Sequence, residues 1–260
     1  MAKKPGYRAV VRKHYRKEAV DQGMSATSTM HDLTTREAEI RTLLSYLKNG
    51  DRCLEIGCGN GAASIRIGEA KKLSMTCVDF SPDLIKLAKK QPIRNVKGSI
   101  SFREQDVLKL DEKNRFDVVF TERCIINLLE WDHQKAALVQ MSGALKKGGR
   151  LLLLEAYSDG LKELNRARKE LGLPNIPPAY HNLHLDREKV VEFLAKQKMN
   201  LVVEDNFLSS YYFGSRVLYP ALAKFAGKEI EYNNAFGRFF ASLPSAGNFS
   251  HIKLLVFKKQ

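Results

Sequence analysis

Leu54-Glu55-Ile56-Gly57-Cys58-Gly59-Asn60-Gly61 runs a short apolar segment straight into three glycines. The pattern reads as a strand, a tight turn and the start of a helix. Glycine lets the backbone turn sharply and approach a ligand with no Cβ between them. The helix behind, expected over about 62–71, offers unpaired N–H groups at its start. Gly57-x-Gly59-x-x-Ala62 also satisfies the dinucleotide fingerprint, so the loop alone does not choose a cofactor.

On either side of this loop, short apolar runs alternate with helical stretches. Strands are expected at 53–56, 75–80, 101–104, 116–121, 150–155, 201–204 and 252–258. Helices are expected at 35–47, 132–145 and 186–197, with another starting at Ser81-Pro82-Asp83, a capping residue followed by proline. Gly148-Gly149 reads as a turn into the fifth strand. The alternation predicts an α/β fold: a mainly parallel sheet of seven strands covered by helices on both faces.

Two stretches break the rhythm, 158–185 and 209–250, and read as insertions that form lids or binding loops. From Phe207 to Phe249 lie 11 of the 23 aromatic residues. That density fits a small helical core on the sheet edge and also an aromatic lid over a substrate. Residues 1–34 read as a basic arm, and 35–260 as the catalytic domain. Seven of the 43 Lys and Arg residues fall in the first 17 positions: Lys3, Lys4, Arg8, Arg12, Lys13, Arg16 and Lys17.

The net charge of +14 favours anionic partners. The longest apolar run, Leu151–Leu154, is far below the ~20 residues that span a bilayer. No apolar segment follows the basic start, so no secretory signal is read. The four cysteines, Cys53, Cys58, Cys77 and Cys124, lack paired metal spacing and sit beside apolar segments. A cytoplasmic protein with reduced thiols and no metal is expected.

The acids around the glycine loop narrow its ligand. Asp79 closes the second strand, where a carboxylate accepts hydrogen bonds from both hydroxyls of a ribose. Glu55 precedes the first glycine and Asp106 follows the third strand. These extra acids suit a ligand with a cationic amino-acid end and an adenine amine. A pyrophosphate would be repelled by them.

These residues resemble the class I S-adenosylmethionine-dependent methyltransferases of small-molecule type, over most of the chain. Glu55-x-Gly57-x-Gly59-x-Gly61 is similar to their first motif and Val78-Asp79-Phe80-Ser81 to the second. Gln105-Asp106-Val107 is similar to the adenine-binding motif. Phe116-Asp117-Val118-Val119 and Leu145–Leu151 resemble the fourth strand and the entry to the fifth. The resemblance implies a Rossmann-like fold with S-adenosylmethionine as cofactor. It implies that Gly57, Gly59 and Gly61 pass under the methionine part, and that Glu55 faces the ammonium. Asp79 would hold the ribose, Phe80 would flank the adenine, and Asp106, with Val107 beside it, would bind the amine. Tyr15 resembles a tyrosine that covers the cofactor, and Arg36 is placed at the methionine carboxylate. Glu122 and Arg123, after the fourth strand, are placed at the cofactor mouth.

Methyl transfer needs alignment first, and a base only for an acceptor that is a poor nucleophile when protonated. His181, in Pro177-Pro178-Ala179-Tyr180-His181-Asn182-Leu183-His184, is the candidate base. Tyr180, His184, Tyr211 and Tyr212 are candidate substrate residues. The segment after the fourth strand lacks the Asn/Asp-Pro-Pro-aromatic motif of many DNA adenine and protein glutamine methyltransferases. Asn175-Ile176-Pro177-Pro178 falls after the fifth strand instead, and no Pro-Cys nucleophile of the cytosine-C5 type is present. The expected reaction is methylation of oxygen or nitrogen on a small or medium-sized molecule: a sugar, a secondary metabolite or a lipid-linked intermediate. The alternatives are an RNA methyltransferase using the basic surface and a non-catalytic cofactor-binding module.

Overall fold

The computed structural model describes residues 11, 14–17, 20–21, 23, 25, 32–231 and 233–260. Of the basic arm, Lys3, Lys4, Arg8, Arg12 and Lys13 lie outside the described residues, while Arg16 and Lys17 are exposed.

Helix α1 (Leu33–Tyr46) begins at Asp32, whose carboxylate accepts from Thr35 N at 3.0 Å. It leads into β1 (Arg52–Ile56), α2 (Ala62–Ala70), β2 (Ser74–Asp79) and α3 (Pro82–Ala88). Ser81 Oγ caps α3 and Pro82 opens it, as the sequence pattern requires. Next come β3 (Ser99–Glu104), β4 (Phe116–Glu122), α4 (Trp131–Ala144) and β5 (Leu145–Ala156). The chain ends with α5 (Ser158–Glu170), α6 (Arg187–Lys196), β6 (Met199–Asp205), α7 (Ser209–Phe213), α8 (Tyr219–Phe225), α9 (Ala235–Ser242) and β7 (Ile252–Lys259).

The seven strands form one sheet in the order β3-β2-β1-β4-β5-β7-β6. Pairing is parallel from β3 to β5, and β7 runs antiparallel to both β5 and β6. Successive strand side chains point to opposite faces, so a sheet covered on both sides needs apolar residues at nearly every position. In β5, Leu152 and Leu154 enter one core while Leu151 and Leu153 enter the other, all four fully buried. Val118 and Phe120 of β4, and Leu254 and Val256 of β7, share the first core.

Gly148-Gly149 is not a turn ahead of the strand. β5 begins at Leu145, directly after α4, and pairs at once with Phe116. The glycines are absorbed as a register irregularity, with Gly148 at φ +76°.

Both insertions fold. The first opens with α5. The second is continuous helix from α7 through a π-helical turn (Gly214–Leu218) into α8. A Cβ at Gly214 would overlap the Phe240 ring, which is how α9 packs so closely. Tyr219, Phe236 and Phe240 stack in sequence, with ring centroids 5.6 and 4.9 Å apart. The aromatic density of this insertion thus builds a helical core, although Phe225 and Phe239 remain exposed.

Candidate active site

Strand order reverses between β1 and β4, and ligands of open α/β sheets bind beyond the carboxyl ends of the strands at such a point. A cavity lies there, with about 1040 Å³ of free space including its open mouth. Its walls come from the ends of β1, β2 and β4, the glycine loop, the turn after β3, and Val11, Tyr15 and Arg36 from the N-terminal side.

Gly57, Gly59 and Gly61 all adopt positive φ, at +81°, +56° and +78°. Gly57 and Gly59 line the cavity; a Cβ at Gly57 would overlap Cys124 Sγ. Gly61 is not among the lining residues. It is the N-cap of α2, and a Cβ there would lie 2.9 Å from the Phe102 ring. Its left-handed backbone and the Phe102 ring both call for glycine there.

Asp79 sits in the cavity wall, buried, and accepts from Gly59 N and Ser81 N, each at 2.9 Å. These bonds hold the loop against β2. Burial pushes the Asp79 carboxyl up to about 6 against the pull of the backbone donors. Glu55, also in the wall, is pushed up to about 7 by burial, opposed by the Ser64 hydroxyl. Phe80, Gln105, Asp106 and Val107 line the far end. Asp106 also caps the following 3₁₀ turn, accepting from Leu108 N at 2.9 Å.

The opposite end is a chain of buried charges. Arg36 Nη1 stands 3.9 Å from Glu122 Oε1, Arg123 Nη2 3.8 Å from the same oxygen, and Arg123 Nε 2.9 Å from Glu39 Oε1. Burial works against the Arg123 charge, and Glu39 and Glu122 more than offset it. Arg123 takes left-handed backbone, φ +53°, with its N–H donating to Leu154 O at 2.8 Å. Tyr15 closes the cavity, its hydroxyl donating to Asn127 Oδ1 at 3.2 Å. Burial keeps Tyr15 a neutral phenol.

The other sequence candidates lie outside the lining residues. His181 stacks on His14 with centroids 3.8 Å apart and lies 6.4 Å from the Tyr15 ring. Burial and His14 push its pKa down to about 4. Tyr180 is exposed and its hydroxyl is 3.3 Å from His14 Nδ1. His184 stacks face to face on His251 at 5.5 Å, and Tyr212 meets His251 edge-on at 4.8 Å. Tyr211 donates to both Asp32 oxygens, at 2.9 and 2.8 Å, tying the second insertion to the start of α1. These rings form two groups, His14, Tyr180 and His181 beside Tyr15, and His184, Tyr212 and His251.

Asn60, Asn127, Cys124, Glu39 and His251 were not singled out from the sequence. Glu39 had a signal: it shares a face of α1 with Arg36, Ile40 and Leu43, a charge inside an apolar stripe. Asn127 had none, because the 3₁₀ turn that aims it is set by tertiary contacts.

Residues 53–149 match the family model of a methyltransferase domain. The 27-O-demethylrifamycin SV methyltransferase of Amycolatopsis mediterranei is 29% identical over 150 residues, 54% of this chain and 55% of the relative. The ubiquinone/menaquinone biosynthesis C-methyltransferase UbiE of Pseudomonas putida is 30% identical over 128 residues, 48% of this chain and 49% of the relative. The chain thus spans about half the length of these two curated relatives. The magnesium protoporphyrin IX methyltransferase (ChlM) of Synechocystis PCC 6803, solved with bound S-adenosylhomocysteine, has a TM-score of 0.61. It covers 97% of this chain and 100% of its own at 15% identity, a likeness of fold. No described helix is long and apolar enough to cross a membrane.

Proposed function

We propose, for a chain that belongs to the class I S-adenosylmethionine-dependent methyltransferases, methylation of a nucleophilic atom, oxygen or nitrogen, on a small or medium-sized acceptor. One observation carries the reading: a single cavity joins the glycine loop, Asp79 and Asp106 at one end to Arg36, Glu122 and Tyr15 at the other. The carboxylates of Glu55 and Glu122 both line this cavity, so its acceptor set suits a ligand that brings its own cation. The cofactor supplies an activated methyl on a sulfonium.

The chain's residues then have separable tasks. Gly57 and Gly59 bring backbone close to the ligand. Asp79 takes the ribose hydroxyls, Asp106 the adenine amine, and Phe80 packs beside the ring. Arg36 takes the carboxylate of the amino-acid tail, and Glu122 and Glu55 face its ammonium. Tyr15, held by Asn127, excludes water from the reacting end. With its pKa near 4, His181 is a weak base at neutral pH, where a general base works best with a pKa near that of the medium. We assign it to the wall behind Tyr15, with transfer driven by alignment of the acceptor.

The test is thermal unfolding with S-adenosylhomocysteine and, in parallel, NADH. A ligand present at 100 times its dissociation constant adds roughly 2.7 kcal/mol. A shift with S-adenosylhomocysteine alone is expected; a shift with NADH alone overturns the cofactor assignment. Methyl consumption in the presence of a cell extract, with heat-inactivated protein as control, separates an enzyme from a binding module.

A further inference from the structure

Glu39 on α1 is fully buried and is not among the residues that line the cavity, although its carboxyl neighbours that of Glu122. Its partner Arg123 does line the cavity, and so does Glu122 beyond it. The three links of this charge chain are unequal. Glu39 and Arg123 approach to 2.9 Å, an ion-pair contact without hydrogen-bond geometry, while both contacts to Glu122 are longer, at 3.8–3.9 Å. The tight link therefore lies behind the cavity and the two loose ones at its surface. Without Glu39, the nearest anion for the Arg123 guanidinium would be Glu122, already 3.8 Å away. A full ion pair there would cancel the charge that faces the ligand.

We propose that Glu39 is a positioning residue for the cofactor's amino-acid tail: it holds Arg123 from behind and leaves the Glu122 carboxylate available to the ligand's ammonium. This rests on the placement of the tail between Arg36 and Glu122 made above. Burial, with Glu122 beside it, pushes the Glu39 carboxyl up, and the Arg123 guanidinium, whose Nε stands 2.9 Å away, opposes that shift.

Two probes separate tail recognition from general damage. S-adenosylhomocysteine carries the amino-acid tail; 5′-methylthioadenosine has the same nucleoside and sulfur without it. Calorimetry on the full chain should give a wild-type preference for the first of about tenfold or more, the value of one good charged contact. Glu39→Gln should remove most of that preference and leave methylthioadenosine affinity within about twofold. The double variant Glu39→Gln/Arg123→Gln removes both buried charges and the competitor for Glu122, so part of the preference should return. It also serves if the single variant fails to fold, because a buried pair replaced together is better tolerated than one partner alone. An intact preference in Glu39→Gln, an equal loss for both probes, or a double variant with no preference would each overturn the proposal. A wild type that does not distinguish the probes would instead reject the placement of the tail.

Discussion

The cavity at the ends of β1, β2 and β4 and the helical insertion between β6 and β7 use opposite materials. The cavity buries charge: Arg36, Glu55 and Asp79 are all below one-tenth exposed. Backbone N–H groups hold Asp79, and Arg36 faces Glu122 at 3.9 Å. The insertion packs half-buried rings against one another, tilted at 4.6–5.6 Å, and its polar contacts are mostly a serine-rich return. Ser209 Oγ donates to Ala246 O at 2.7 Å and Ser210 Oγ to Pro244 O at 2.6 Å. Buried charges are costly without partners and so mark a ligand site, whereas stacked aromatics stabilise without requiring one. The two regions meet at Asp32, which caps α1 and also receives Tyr211 and Arg216 from the insertion.

Asp79→Ala is the strongest way to break this contrast. It removes the proposed ribose contacts and the two backbone bonds that hold the loop. S-adenosylhomocysteine affinity should fall about 100-fold or more, given ~1.5–3 kcal/mol per charge-assisted bond. Wild-type affinity by calorimetry would reject Asp79 as the ribose ligand. Lys253→Met probes the other side. Lys253, 2% exposed on β7, pairs with Asp159 and lies 3.6 Å from Glu204. Its loss should cost about 2 kcal/mol in urea unfolding, less than a fully buried pair because the acids are partly exposed. Cofactor affinity should hold; a large drop would show that the two regions are coupled through β7.

The pH dependence sharpens the comparison further. The Asp79 and Glu55 carboxyls are raised to about 6 and about 7, so the ligand-free fold binds more protons than the unfolded chain. Their contribution to stability is fully present below about pH 4 and is lost as pH rises through 6 to 7. Binding runs the other way under the proposed placement, in which the ionised Asp79 accepts from both ribose hydroxyls. S-adenosylhomocysteine affinity should rise severalfold, up to about tenfold, between pH 5 and about 7.5. Unfolding and calorimetric series across this range check both signs. The smallest effect is expected for His181→Ala, whose ring lies outside the cavity: a change in S-adenosylhomocysteine affinity within about twofold. A loss of tenfold would return His181 to the site.

Local chemistry made the cavity's skeleton readable. Gly57 and Gly59 need positive φ, Asp79 must end a strand, and Ser81-Pro82 must open a helix; each demand acts within a few residues. Leu151–Leu154 had to lie in a strand covered on both faces, since every one of them is fully buried. Gly61 and Gly148-Gly149 were readable as glycines in turns, but not for what they do. A ring from β3 and the register against β4 determine that.

The placement of side chains from distant segments followed no local rule. Tyr15 reaches Asn127 across 112 residues, and Tyr211 reaches Asp32 across 179. His181 stacks on His14 outside the lining residues, and burial together with His14 lowers its pKa to about 4, neither of which the sequence around it could show. Glu39 could be seen as a charge on an apolar helix face, while its partner Arg123 lies on a separate element and is aimed by a left-handed turn. Periodicity and backbone preference act over a few bonds, so they specify strands, turns and the glycine-loop end of the cavity. Which buried charges face one another depends on how α1 and the insertion pack over the sheet, a balance of desolvation and pairing that exists only once the chain has closed.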